Sequence, residues 1–213
     1  MKTETVSSHA KSSHAKLSTP RGRPREFDMD EILDKAIPVF CSRGYHGTSI
    51  NDLAEGMQLT VGSIYKAFKD KRGVFLAVLD RQSSQRGAEL AQVLAAAQSG
   101  RDKVQAALVF YAELSHGSRG REGCLVVSTA VELAALDAEI GVRAALAMQG
   151  REALLNQLIR QGKGDGSIPP HIDSAATGRL LLCLLQGLRV VGKTGKTRKE
   201  MLAVVDAAMK ILS

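Results

Sequence analysis

The residues best suited to binding chemistry lie in the stretch LTVGSIYKAFKDKRGVF, Leu59–Phe75. Thr60 and Ser63 supply hydroxyls, Gly62 supplies no side chain, and Lys66, Lys69, Lys71 and Arg72 face one acid, Asp70. A helix capped by Thr60, turning about 100° per residue, gathers Val61, Ile64 and Phe68 on one side with Tyr65 at its margin. Gly62, Ser63 and Lys66 then fall on the other side. Small outward residues let a backbone approach its target closely. Hydroxyls and the free N–H groups of a helix start hold phosphate, and lysines neutralise more of it. That combination suits entry into the major groove of DNA.

Two further elements must position this helix. Asp28, with Glu31 in the capping-box position, starts a first helix over 29–42 that buries Ile32, Leu33, Ala36, Val39 and Phe40. Pro38 interrupts it and predicts a bend. After the turn RGYHGTS, Thr48 or Ser49 caps a second helix with Ile50, Leu53, Ala54 and Met57 on one face. The order is helix, then helix-turn-helix.

Residues 21–80, RGRPREFDMDEILDKAIPVFCSRGYHGTSINDLAEGMQLTVGSIYKAFKDKRGVFLAVLD, resemble the DNA-binding domain of the tetracycline-repressor (TetR) family of bacterial transcriptional regulators. The likeness rests on "A..VF..RGYHGTS", "I.DLA" and "GSIYKAFKDK..VF.AVLD" in that order. It implies that Thr60, Val61, Gly62, Ser63, Tyr65 and Lys66 face DNA, Tyr65 at phosphate, with Lys71 also on the backbone. Thr48 and Ser49 hold phosphates from the other side. Arg21, Arg23 and Arg25 resemble a basic arm laid along an adjacent minor groove. It also implies an all-α protein in which an N-terminal three-helix helix-turn-helix domain (21–79) precedes a larger C-terminal helical ligand-binding and dimerisation domain (80–213). The polar repeat SSHAKSSHAK places residues 1–20 in a disordered tail.

Beyond residue 80 the pattern reads as helices over roughly 80–97, 101–114, 123–136, 137–161, 173–191 and 197–212, separated by Gly- and Pro-marked connections. AATGRLLLCLLQGLRVVGKTG is apolar around most of its circumference and needs cover on nearly every side. The family pairs its last two long helices in a dimer, which implies an interface on 144–159 and 175–191, with Gly178 and Gly187 permitting close approach. Two recognition helices then read the halves of a palindromic double-stranded operator. A small-molecule effector releases the DNA. Phe110, Tyr111, Cys124, Ser128 and Thr129 are the candidate pocket residues, suited to a small hydrophobic effector.

Composition is consistent with this outline. The chain has 213 residues, is 44% hydrophobic, and lacks Trp. Its net charge is +7, concentrated in residues 1–26, with six Lys or Arg against two acids, and in 66–72, with four against one. Such clusters fit a polyanion. Cys41, Cys124 and Cys183 are widely spaced, so neither a disulfide framework nor a metal site is expected, and a reducing cytoplasm is. No membrane span, secretory signal or cofactor is expected. Cys124, close to Arg119 and Arg121 and near a helix start, has the setting of a low-pKa thiol sensor, an alternative role. A helix-turn-helix that binds protein instead of DNA is another alternative. An enzyme using Cys124 with His116 or His171 lacks any surrounding signature.

Overall fold

The computed structural model describes residues 28–213. The predicted tail and the arm carrying Arg21, Arg23 and Arg25 lie outside them. Among the described residues the secondary structure is wholly helical: α1 (Met29–Arg43), α2 (Ile50–Met57), α3 (Val61–Phe68), α4 (Lys71–Ala95), α5 (Gly100–Glu113), α6 (Gly117–Glu122), α7 (Leu125–Glu132), α8 (Ala138–Gly164), α9 (Ser174–Gly192) and α10 (Arg198–Met209). A 3-10 turn, Lys210–Leu212, follows.

Local chemistry starts most of these helices. Asp28 accepts from the Asp30 and Glu31 backbone N–H groups. Ser49, Ser99 and Thr197 form reciprocal capping boxes with Asp52, Asp102 and Glu200. Each such cap satisfies N–H groups that the helix itself leaves open, and is worth about 1 kcal/mol. α1 continues through Pro38, which is exposed.

Two cores result. The first joins Phe40 of α1, Leu53 and Met57 of α2, Ile64 of α3, and Val74, Phe75, Val78 and Leu79 of α4. The Phe40 and Phe75 rings meet edge to face, centroids 4.9 Å apart. The second is built by the later part of α4 with α5, α8, α9 and α10.

The division expected at 79/80 does not coincide with a break in the chain. α4 runs unbroken across it, so one rigid helix contributes to both cores. The first core is closed by residues from farther along: Leu125, Val126 and Leu133 around α7, and Ile140 of α8. Polar contacts reinforce that seam. Arg72 donates to Asp137 at 2.6 and 2.9 Å and to Glu139 at 2.7 Å, and Arg143 pairs with Asp80. Glu132 accepts from the backbone N–H groups of Tyr45 and His46 at 3.4 and 3.0 Å, clasping the turn before α2.

One small-residue expectation changes. Gly178 is buried within the chain, where an added Cβ would lie 1.8 Å from Asn156 Oδ1, so it seats α9 on α8 of the same chain. Cys183, which lies in the leucine run of α9, is exposed.

The Arg72 cluster gives a pH prediction. Hydrogen bonding from Arg72, then from the Ile140 backbone N–H, holds the Asp137 carboxyl at about 2, below its ordinary 3.8. A depressed carboxylate pKa contributes stability that is complete above the unfolded value and disappears as pH falls through the folded one. Asp137→Asn keeps a side-chain cap for α8 but loses the charge. Its melting temperature is expected below wild type at pH 6, with the gap closing between pH 4 and pH 2. A pH-independent gap would exclude this linkage.

Candidate nucleic-acid interface

α3 presents the polar face expected of it. Ile64 is fully buried and Phe68 half-buried, while Gly62 and Lys66 are exposed and Tyr65 is 51% exposed. Val61, assigned to DNA by resemblance and to the packed side by periodicity, is half-buried. Thr60 caps the helix, its Oγ1 accepting from the Ser63 N–H at 3.2 Å and lying 2.9 Å from Ser63 Oγ. The two hydroxyls therefore act as a preorganised pair at the helix start. An added Cβ at Gly62 would find only Thr60 Oγ1, at 4.0 Å, so this face is open.

The turns that aim α3 are tight. Gln58, between α2 and α3, and Lys69, between α3 and α4, both adopt positive φ, 57° and 69°. Such backbone is uncommon for residues with a Cβ. Lys35 donates to the Gln58 side chain at 3.1 Å, fastening the first turn to α1.

Two residues expected at phosphate are placed otherwise. Thr48 is only 1% exposed, and its hydroxyl donates to the Gly44 carbonyl at 2.6 Å; burial and that bond withdraw it from solvent. Lys71 extends its ammonium inward, donating at 2.9 Å to the carbonyls of both Tyr45 and Thr48 and sitting 4.5 Å from the centre of the Tyr45 ring. It braces the turn that carries α2. Ser49 is exposed as expected, but its Oγ is engaged with Asp52, to which it donates at 2.7 Å. The Ser49 N–H and Oγ also hold the Asp52 carboxyl below its usual range.

The expected pocket residues divide. Tyr111 and Cys124 line one small enclosed chamber, together with Gln82, Arg86, Leu114, Gly123, Arg151 and Arg189. Phe110 instead borders an outer groove beside Glu113 and Val109. Thr129 is buried and its hydroxyl donates to the Leu125 carbonyl at 2.7 Å, while Ser128 lines neither space. The cations expected near Cys124, Arg119 and Arg121, are exposed; the guanidinium beside its thiol is Arg189. His116 is paired with Glu113 at 2.9 Å, and neither it nor His171 borders the chamber. Arg151 and Arg189 escaped the sequence reading, although a lone Arg in LLQGLRVVG signals a charge inside an apolar helix.

Comparison with known proteins agrees with this geometry. Residues 32–78 match the family described as bacterial regulatory proteins, tetR family, and residues 100–208 match the tetracyclin repressor-like C-terminal domain. The HTH-type transcriptional repressor ComR of Escherichia coli K12 is 30% identical over 90% of this chain and 91% of its own. A cysteine-substituted form of the TetR family transcriptional regulator CifR, solved with 26 bp operator DNA, superposes with a TM-score of 0.78 at 31% identity, covering 90% of this chain and all of that one. FadR of Bacillus subtilis, solved with stearoyl-CoA, shares the fold at 17% identity, with a TM-score of 0.68 over 86% of this chain and 97% of its own. With helix-turn-helix, seam and C-terminal bundle all accounted for, the chain belongs to the TetR family and is a DNA-binding transcriptional regulator.

Proposed function

We propose that the protein is a homodimeric repressor that leaves a palindromic operator when a small-molecule effector enters its C-terminal bundle. The observation that carries this is the outward face of α3, with Thr60, Gly62, Tyr65 and Lys66 exposed, Ser63 half-buried and its hydroxyl preorganised with that of Thr60. Phosphate contacts set the orientation, and the small residues at the helix start meet base edges. The relatives' described roles, a repressor in one case and an operator complex in another, support the same direction. A regulator working on DNA in this way acts in the bacterial cytoplasm.

Dimerisation is supported by an apolar stripe along α9. Ala176, Leu180, Cys183 and Val190 or Val191 are exposed on it, Leu180 at 50%. Spacings of three and four residues, and of seven or eight from Cys183 to the valines, keep them on one face, and Gly187 between them leaves open space for a neighbouring backbone. A two-fold pairing there would set recognition helices about 34 Å apart, one turn of DNA. Leu180→Glu is expected to yield a monomer by sedimentation, with operator affinity reduced by two orders of magnitude or more. A variant that stays dimeric would move the interface elsewhere.

The decisive test of the whole reading is selection from random duplex DNA at roughly physiological salt, where non-specific binding is weak. A palindrome is the expected product. Selection of no sequence by protein confirmed free of bound small molecules would refute operator reading and leave the helix-turn-helix as a protein-binding module.

A further inference from the structure

The chamber beside Cys124 holds about 20 Å³, close to the space of one water molecule. Its walls are rich in positive charge: Arg86 of α4, Arg151 of α8 and Arg189 of α9. Among the described residues no carboxylate lines it. Arg86 is neutralised by Glu89 at 2.6 Å. Arg151 and Arg189 have no acidic partner within 4 Å among the described residues. Each uses part of its fork on neutral groups, Arg151 Nε on the Tyr111 hydroxyl at 3.0 Å and Arg189 Nη2 on the Gly123 carbonyl. In both, Nη1 is buried without a hydrogen-bond partner among the described residues. Arg189 as a whole is only 6% exposed, and burial pulls its pKa down.

A guanidinium stays charged in essentially any protein setting. Gathering two of them at one chamber, Arg189 buried and Arg151 half-buried, without a counter-charge is unfavourable to the fold. A water molecule could satisfy the free N–H groups but would leave the charge. An anion satisfies both. The chamber has room for little more than a water-sized group, which the end of a carboxylate approaches more nearly than a bulkier phosphate, and guanidinium forks match carboxylate oxygens.

What adjoins the chamber defines the rest of the molecule. Arg86, Tyr111 and Arg151 also border a cleft of about 380 Å³ between α4 and α8. Leu90, Leu94, Leu146 and Leu154 give that cleft an apolar lining, and its volume falls in the usual range for small-molecule sites. We propose that the effector is an amphipathic monocarboxylate, its carboxylate held between Arg151 and Arg189 and its apolar body in the cleft between α4 and α8.

This inference rests on the effector-controlled reading above and narrows it. To reach Arg189 the carboxylate must part the Tyr111–Arg151 bond or displace Arg86. Gln82 and Arg86 belong to α4, whose first turns carry Val74, Phe75 and Val78 in the core beneath α3. A displacement of α4 at the chamber is thereby felt where the recognition helix is anchored.

The test uses full-length protein and monocarboxylates from butyrate to decanoate, plus phenylpropionate, each matched with its alcohol and its amine. Thermal unfolding is measured without DNA, so that the result does not depend on operator control. At least one carboxylate is expected to raise the melting temperature by about 5 °C at a hundredfold excess over its Kd, and its alcohol and amine by much less. Arg189→Met and Arg151→Met are each expected to weaken that carboxylate's binding at least tenfold, while Lys199→Met, on the exposed side of α10, leaves it unchanged. Either arginine variant suffices if the other does not fold. Equal stabilisation by alcohol or amine, full binding retained in the arginine variants, or no response to any carboxylate would overturn the proposal. Release of operator DNA is then measured with the same compound. Stabilisation without release would uphold the carboxylate site and refute effector control of repression.

Discussion

Gly73→Ala is expected to destabilise the protein by about 3 kcal/mol and to abolish operator binding with it. Gly73 sits in the first turn of α4, directly after the corner made by Lys69 and Asp70. That corner folds the end of α3 back so tightly that an added Cβ would lie 1.9 Å from the Phe68 carbonyl oxygen and 3.1 Å from its carbon. The obstacle is backbone, which cannot rotate aside as a side chain can. Either α3 moves away from α4, disturbing Ile64 and Phe68 against the first core, or α4 loses the cap that Asp70 gives the Gly73 N–H at 2.7 Å. Gly87→Ala, on the same helix with nothing within 4 Å of the new methyl, supplies the comparison. There the better helix former is expected to add up to about 1 kcal/mol. Equilibrium urea unfolding of the two variants checks both numbers. A Gly73→Ala protein as stable as wild type would mean that the α3–α4 corner is looser than described.

The reading head was legible because its signals are local. Asp28, Ser49 and Thr60 each announce a helix a few residues ahead, and the apolar positions of α1 to α3 repeat at helical spacing. What periodicity does not encode is the partner of an apolar face. Leu125 and Val126 look like the start of any buried helix, yet they pack into the first core, more than forty residues from α4's beginning. Nothing in their neighbourhood distinguishes that destination from the second core. The same limit explains Thr48 and Lys71. A threonine before a helix and a lysine after one have the right types for phosphate, but the Gly44, Tyr45 and Thr48 carbonyls that occupy them are supplied by the folded turn. Charges in the C-terminal bundle were hidden for a related reason. Arg151 and Arg189 lie 38 positions apart in the chain, and only the packing of α8 against α9 shows that both line one chamber.

Gly62→Ala should separate folding from DNA reading. The position is the second of α3, exposed, and the new methyl would meet nothing nearer than Thr60 Oγ1 at 4.0 Å. The free protein therefore accommodates alanine without adjustment, and helix propensity favours the change by up to about 1 kcal/mol. In the proposed complex the same atom projects from the groove-facing side, where the absence of a side chain allows the backbone its closest approach to base edges. Operator affinity is expected to fall by about tenfold to a hundredfold, the range for losing or crowding a good base contact. Binding to unrelated duplex at low salt should scarcely change, because Lys66 and the other phosphate-facing groups are intact and that mode depends on charge. Fluorescence anisotropy with the selected operator and with a scrambled duplex, alongside the melting temperature, gives all three quantities from one preparation. If the operator and the scrambled duplex weaken equally, Gly62 lies against phosphate; if neither weakens, the start of α3 does not enter the groove, and the base-reading face must be sought nearer Lys66.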